Sequence, residues 1–300
     1  MKRARDQRNH FRRCGEQPAP TTRPEVLSEL VRRNRVLQAE LSDTVADRDE
    51  LRHAMFEGAQ MQRRLCGPRR LRRGSFEFAT ELFPARHLSG DFISLFDCGS
   101  EIAFAIGDIT GKGLPAAMWF THMMVSVRDQ MLSKSTPSDA MRVINNDLCS
   151  VPFAAPLTTL FLARLNPVNG KLLWCNAGHP PAQILSADGR LRSLEDGGPL
   201  LGALPQAAFN CGEAHLGAGD SLLAYSDGVL ECRNTAGAEF GMERLLKAAK
   251  MSISPVASVV LFSVLAAAQE FTVNQRREDD MAMLVVSRSA NKTSTRLDAQ

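Results

Sequence analysis

The segment from Leu88 to Phe120, LSGDFISLFDCGSEIAFAIGDITGKGLPAAMWF, constrains the fold more than any other part of the chain. Two acidic residues, Asp91 and Asp108, each follow a glycine and bracket two strand-like runs. Phe92, Ser94 and Phe96 share one face of the first run. Ile102 to Ile106 is continuously apolar, as a strand buried on both faces would be. An unpaired carboxylate at the end of a buried strand costs several kcal/mol, and a bound cation would resolve that cost. The competing reading is that each is an ordinary turn or capping aspartate. Gly111 and Gly113 then flank Lys112, and Pro115 stands where a helix's first turn accepts it, so the order is strand, glycine loop, helix. A nucleotide P-loop is excluded: only three residues separate Gly107 from Gly111, and glycine follows the lysine where Ser or Thr is required. Lys112 could contact a substrate phosphate or be a solvated loop lysine.

Three hundred residues allow one or two domains, and 44% apolar with 23% charged residues is the composition of a globular protein. Seven cysteines without a CxxC pair argue against a disulfide framework or zinc site and suit a reducing compartment. No apolar core follows the basic N-terminus as in a signal peptide, and the apolar run Pro255–Ala268 is shorter than the ~20 residues of a membrane span. A cytoplasmic location without membrane contact is expected. Charge divides unevenly: residues 1–73 carry a surplus of +8, and the remainder −5.

Residues 1–24 are basic and poor in large apolar side chains, which predicts a disordered tail. Such a tail could touch nucleic acid, but a solvated tail is the commoner case and is preferred. From 25 to 66, Leu27, Leu30, Asn34, Leu37, Leu41, Thr44, Arg48, Leu51 and Met55 alternate at three and four spacing. That is a heptad seam, with the polar Asn34 at a register-fixing position. It predicts a coiled coil or signalling helix that could pair two copies of the chain; a single amphipathic helix packed on the following domain is the alternative.

Residues 75–290 alternate strands (76–82, 158–165, 171–177, 183–185, 190–194, 220–226, 281–288) with helices (115–131, 138–149 capped by Ser138, 242–250 and one from Val256). Hairpins with paired helices between them predict an α+β sandwich of antiparallel sheets. Residues 291–300 read as a polar tail. Asp227 repeats the opening theme, a buried strand running into Asp-Gly, and Asp279-Asp280 stands at the mouth of the last strand. An all-oxygen acidic site suits Mg²⁺ or Mn²⁺, and carboxylates shared between two such ions could activate a water and clamp a phosphoryl group. No GxSxG elbow is present, and of the cysteines only Cys66 and Cys14 have basic neighbours that could activate them.

Taken in order, SGD (89–91), GDITGKGLPAAM (107–118), NAGHPP (176–181), GGPLLG (197–202), GDSLLAYSDGVLE (219–231) and EDDMAML (278–284) resemble the motifs of the SpoIIE/RsbU-type bacterial serine/threonine phosphatases, members of the metal-dependent protein phosphatase 2C superfamily. The likeness covers about residues 60–288, since AQMQRRLCGP resembles the entry to the family's switch helix. It implies a protein phosphatase 2C-like α-β-β-α sandwich holding two Mn²⁺ or Mg²⁺ ions. It assigns Asp91, Asp108, Asp227 and Asp279 as catalytic metal ligands, helped by the Ile109 carbonyl, with Asp279 preferred over the adjacent Asp280. It implies hydrolysis of phosphoserine or phosphothreonine on an anti-sigma-factor antagonist in a partner-switching pathway, and an upstream activator or sensor protein. The sequence departs from the family at Ser89, where glycine is usual, and at Ser226 and Ala282, where threonine is usual. Ala282 gives the one opening for a non-catalytic scaffold that kept the fold. His179 is a candidate base, but a turn-ordering role is preferred.

Overall fold

The computed structural model describes residues 23–111, 113–133, 136–152, 155–273, 275 and 277–290. Most of the basic tail, Lys112 and the polar tail at 291–300 therefore lie outside the described residues. By internal contacts the chain divides at Ala54/Met55. Helix α1 (Arg23–Leu65) supplies the described part of the first unit, where Leu27, Leu30, Leu37, Leu41 and Leu51 of the heptad seam are all exposed.

The second unit follows with β1 (Arg70–Arg73), β2 (Phe76–Phe83), β3 (Phe92–Asp97), β4 (Ile102–Ile109), α2 (Leu114–Leu132), α3 (Pro137–Ser150), β5 (Thr158–Leu165) and β6 (Lys171–Ala177). Then come β7 (Ala182–Leu185), β8 (Leu191–Leu194), β9 (Gly197–Gly198), β10 (Gly212–His215), β11 (Ser221–Tyr225), α4 (Asp227–Leu230), α5 (Gly241–Lys250), α6 (Ala257–Phe271) and β12 (Met281–Arg288). One sheet runs β1-β2-β12-β11-β7-β8 and the other β10-β6-β5-β4-β3, with the short β9 parallel to β6. All other pairings among these strands are antiparallel.

Three apolar layers hold this together. Phe78, Phe104 and Trp174 fill the space between the sheets. Phe120, Met123, Met141 and Ile144 seat α2 and α3 on one outer face, and Val260, Leu261 and Val264 seat α6 on the other, with α5 beside it. The result is the expected α-β-β-α sandwich.

Local chemistry sets the boundaries. Pro115 occupies the first turn of α2. Helix α3 begins one residue earlier than expected because Pro137 takes its first position, where its fixed φ suits the helix and its missing N–H is not needed. Thr136, not Ser138, is therefore the cap, its hydroxyl accepting the Asp139 N–H. Strand β4 continues to Ile109, so Asp108 lies within the strand instead of after it. Asp227 opens the short α4, so the buried strand before it runs into a helical turn.

Candidate metal centre

Each sheet delivers acids to one place by register. Phe92 of β3 pairs with Gly107 of β4, so Asp91, one residue earlier, falls opposite Asp108. Gly107 allows that close pairing: a Cβ there would stand 2.4 Å from the Thr159 carbonyl oxygen and 2.6 Å from Phe92 Cζ. In the other sheet, Tyr225 of β11 pairs with Met283 of β12. Beyond that pair the Ser226 N–H donates to the Ala282 carbonyl at 2.9 Å, and the Ala282 N–H donates to Ser226 Oγ at 2.9 Å. Asp227 is thus held beside the Asp279-Asp280 turn. A Cβ on Gly228 would stand 1.9 Å from the Asp280 carbonyl oxygen and 3.5 Å from Asp279 Cβ, so only glycine fits after Asp227.

Asp280 ties the two sheets together. Its Oδ1 accepts the Ala85 N–H at 2.7 Å, and its Oδ2 accepts the Ser89 hydroxyl at 2.9 Å and the Gly90 N–H at 2.8 Å. Gly90 in turn lies against β4, where a Cβ would stand 3.2 Å from Asp108 Oδ1 and 3.1 Å from the Ile109 carbonyl oxygen. Asp91, Asp108, Ile109, Asp227, Asp279 and Asp280, the residues picked out in the sequence, are therefore gathered at one end of the sandwich. Asp227 Oδ1 accepts the Gly228 N–H, and Asp279 Oδ1 accepts the Asp280 N–H.

The electrostatics are those of crowded anions. Asp91 is 2% exposed, and its Oδ2 has no hydrogen-bond partner among the described residues. Burial, and next the charge of Asp108, holds its carboxyl well above the ordinary carboxylate range; Asp280 and Asp227 add to this, while the Ser226 hydroxyl opposes it. Burial pushes Asp108 up to about 6, reinforced by Asp227, Asp279 and Asp280 and opposed by the Ile109 N–H. Among the described residues, no three His, Cys, Asp or Glu side chains already form a ligand cage. The fit to a hard divalent cation rests instead on the oxygen-only donor set, the accumulated negative charge and the orphaned Asp91 oxygen.

A cleft of about 350 Å³ opens beside these acids, lined by Asp108, Thr159, Asp227 and the loop from Gly178 to Pro181. His179 in this loop is 3% exposed, and burial pushes its imidazole down to about 3, so it is neutral and carries no titrating proton near pH 7. Its Nδ1 lies 2.8 Å from Thr159 Oγ1, which accepts the Asp108 N–H at 3.1 Å. Through this hydrogen bond His179 orders the loop against Thr159. Asn176 completes the arrangement, accepting the His179 N–H and donating to its carbonyl. Burial also raises the Cys66 thiol, so its basic neighbours do not activate it. Sequence reasoning missed Thr159 as a support, since nothing near it marks it, and noted Ser226 beside Asp227 only as a departure from the family motif, without the hydrogen bonds of its hydroxyl.

The profile of the Stage II sporulation protein E (SpoIIE) family matches residues 99–289. Among curated proteins, the chain is 30% identical over 193 residues to Protein IcfG of Synechocystis sp., covering 55% of this chain and 30% of that protein. It is 27% identical over 189 residues to the phosphoserine phosphatase RsbU of Bacillus subtilis, covering 63% of this chain and 56% of the relative. The chain thus spans only part of the length of either relative. The solved SiaA-PP2C domain of Pseudomonas aeruginosa superimposes with a TM-score of 0.69 at 14% identity, covering 81% of this chain and 98% of that one. The fold is that of PP2C-type phosphatases, and the chain belongs to the SpoIIE family.

Proposed function

We propose that the chain is a metal-dependent protein serine/threonine phosphatase, carried by one observation: five aspartates delivered by two sheets, from the buried Asp91 to the exposed Asp279, converge at one end of the sandwich beside an open cleft. Asp91, Asp108, Asp227 and Asp279, with the Ile109 carbonyl, would hold two Mn²⁺ or Mg²⁺ ions. In support, a solved structure of the same fold, the PstP catalytic domain (15% identity, TM-score 0.50), is a complex with two manganese ions. Such ions, when bound, lower the pKa of a coordinated water towards ~7 and offset charge on a phosphoryl group. The protein's own part is positional. Asp280 fixes the Ser89-Gly90 turn, Ser226 hydrogen-bonds to Asp91, and Thr159 with His179 holds the backbone at Asp108. The cleft between Asp108 and the His179 loop would receive the phosphorylated side chain.

The substrate would be a phosphoserine- or phosphothreonine-bearing anti-sigma-factor antagonist. The Bacillus relative's name as a phosphoserine phosphatase supports this, as does a Mycobacterium tuberculosis protein that joins RsbU and RsbW domains in one chain (22% identity, TM-score 0.63). The exposed leucine seam of α1 would pair with a second copy or with the helix of an upstream activator. Among the described residues no helix is long and apolar enough to cross a membrane.

The test is Mn²⁺-dependent hydrolysis of p-nitrophenyl phosphate by the wild type, Asp108→Asn and Asp227→Asn. Activity that requires the metal, disappears with chelator and is lost in both variants is the expected result. A wild type that binds Mn²⁺ by calorimetry yet hydrolyses neither this ester nor a phosphoserine peptide would point to the scaffold reading instead.

A further inference from the structure

We infer that a groove running from Asp279 to α6 is a second anchor for the substrate, taking an apolar side chain that the phosphoprotein carries beside its phosphorylated residue. The inference deepens the phosphatase reading above and rests on it. Strands β2 and β12 place the groove. Phe83 pairs with Met281 at the end of their ladder, and both side chains belong to the apolar layer under α6. Asp279 stands two residues before Met281. A first hollow of about 220 Å³ opens at Gly228 and Asp279 and reaches Thr272, Arg277 and Met281. A second, of about 810 Å³, shares those last three residues and widens against Phe83, Phe262 and Leu265. The groove is therefore continuous from a candidate metal ligand to the outer face of α6.

Its chemistry selects what it can hold. The first hollow mixes Arg233 and Arg277 with Glu231 and Glu278, and Arg233 is already paired with Glu239 at 2.7 Å, so neither sign of charge is favoured there. The second is walled mainly by apolar side chains. The two charges on its rim, Glu270 and Arg277, are opposite, and the Arg277 guanidinium lies over the Phe83 ring, 5.1 Å from its centroid. Helix α6 buries Val260, Leu261 and Val264 in the core, yet Phe262 stays 45% exposed, and Val273 across the hollow is 54% exposed. A single exposed aromatic is ordinary. Apolar side chains gathered around a hollow within the ~300–1,000 Å³ range of ligand sites mark a binding surface. The occupant follows from continuity: Asp227 and Asp279 stand between the cleft at the His179 loop and this groove. A protein chain whose phosphoryl group reaches the acids extends beyond them, and across Asp279 the groove receives it. A small ester has no such extension, so the groove separates a protein substrate from a bare phosphate ester.

The experiment measures kcat/KM with Mn²⁺ for phosphoserine peptides of glycine and alanine, in which a single leucine is walked through the positions flanking the phosphoserine. The reference peptide has no leucine. Burial of a leucine side chain corresponds to ~10–100-fold, and in the wild type at least one position should exceed the reference by that factor. In Phe262→Asp, which puts a charge into the hollow, the same leucine should gain less than twofold, and Phe262→Ala should fall between. Ile253→Asp, a change at a residue that is 95% exposed and outside the groove, should keep the wild-type ratio. Each ratio is taken within one protein, so any change in overall activity cancels. A wild type that gains nothing from leucine at any position would overturn the inference. So would Phe262 variants that keep the full gain, an Ile253→Asp that loses it, or failure of both Phe262 variants to fold, which would make Phe262 part of the core. A wild type inert with Mn²⁺ toward p-nitrophenyl phosphate and every peptide would remove the phosphatase reading itself, and that result is visible before any leucine is compared.

Discussion

Replacing Asp108 with Asn should stabilise the metal-free protein while abolishing its activity. Asp108 is partly buried and surrounded by Asp227, Asp279 and Asp280, which with burial lift its carboxyl from the ordinary 3.8 to about 6. Below the lower value both folded and unfolded states are protonated, and the carboxyl contributes nothing. Between the two values the folded state keeps a proton that the unfolded state releases; above about 6 both are ionised, and the full penalty is present. At 1.36 kcal/mol per pH unit the rise corresponds to roughly 3 kcal/mol. For a domain of this size that is a Tm difference on the order of 6–12 °C as an upper bound, since ~1 kcal/mol moves Tm by about 2–4 °C. Asn keeps an oxygen to accept the Ile109 N–H and removes only the charge. The assay is calorimetric unfolding of both proteins in chelator at pH 7.5 and pH 4. The variant should melt higher at pH 7.5, and the difference should shrink at pH 4 to about 0.5 kcal/mol, a small fraction of its value at pH 7.5. His179, held neutral in the fold but protonated in the unfolded chain below ~6.5, destabilises both proteins alike on acidification, so the comparison cancels it. Added Mn²⁺ at a thousandfold excess over Kd should reverse the order, because only the wild type gains by binding, about 4.1 kcal/mol under that condition. A variant less stable than wild type in chelator at pH 7.5, or a gain undiminished at pH 4, would refute the crowded-anion account.

Gly107→Ala places a methyl against the Thr159 carbonyl and the Phe92 ring beside Asp108; overpacking of this kind costs about 1–3 kcal/mol or more, measurable by urea unfolding. Asp280→Ala strands three donors, the Ala85 and Gly90 N–H groups and the Ser89 hydroxyl, and should destabilise by about 2 kcal/mol or more. Asp279→Ala should lower metal affinity in calorimetry with a smaller loss of stability; equal stability losses would erase the distinction between the two acids. Changing Leu30 and Leu37 together to Asp puts charge into the exposed heptad seam and should shift the sedimentation mass of any α1-mediated dimer to that of a monomer, while an unchanged mass would exclude this seam as the contact.

The acids were legible in the sequence because Asp91, Asp108 and Asp227 each combine an adjacent glycine with a long apolar run, and Asp279-Asp280 directly precedes one. Their exact setting was not. Gly107 reads as a strand break, yet β4 continues through it, since Thr158 and Thr159 go on pairing and the glycine is needed for close approach. Strand β1, RLRR, shows no apolar alternation because it is a charged edge. The supports of the site were hidden for a different reason. Asp280 meets Ser89 across 191 residues, and Gln62 meets Ser89 across 27. Such contacts exist only once two sheets and a helix have docked, and no local pattern encodes them.

Hydrogen-bond saturation is what sorts the chemically identical aspartates. Asp280 uses both oxygens on three donors from the segment before Asp91, so its charge is already engaged in holding that segment in place. Asp91, one residue beyond that segment, keeps a buried oxygen with no partner among the described residues and a carboxyl pushed far upward. The first arrangement is that of an acid that organises a turn; the second is that of an acid whose ionised form is unfavourable until a cation meets it. The preference for Asp279 over Asp280 as a ligand, stated from family resemblance, acquires an independent physical argument here. Asp280 could join a cation only by releasing donors that the fold has already placed on it, and each released backbone donor would be left buried at a cost of about 1–3 kcal/mol.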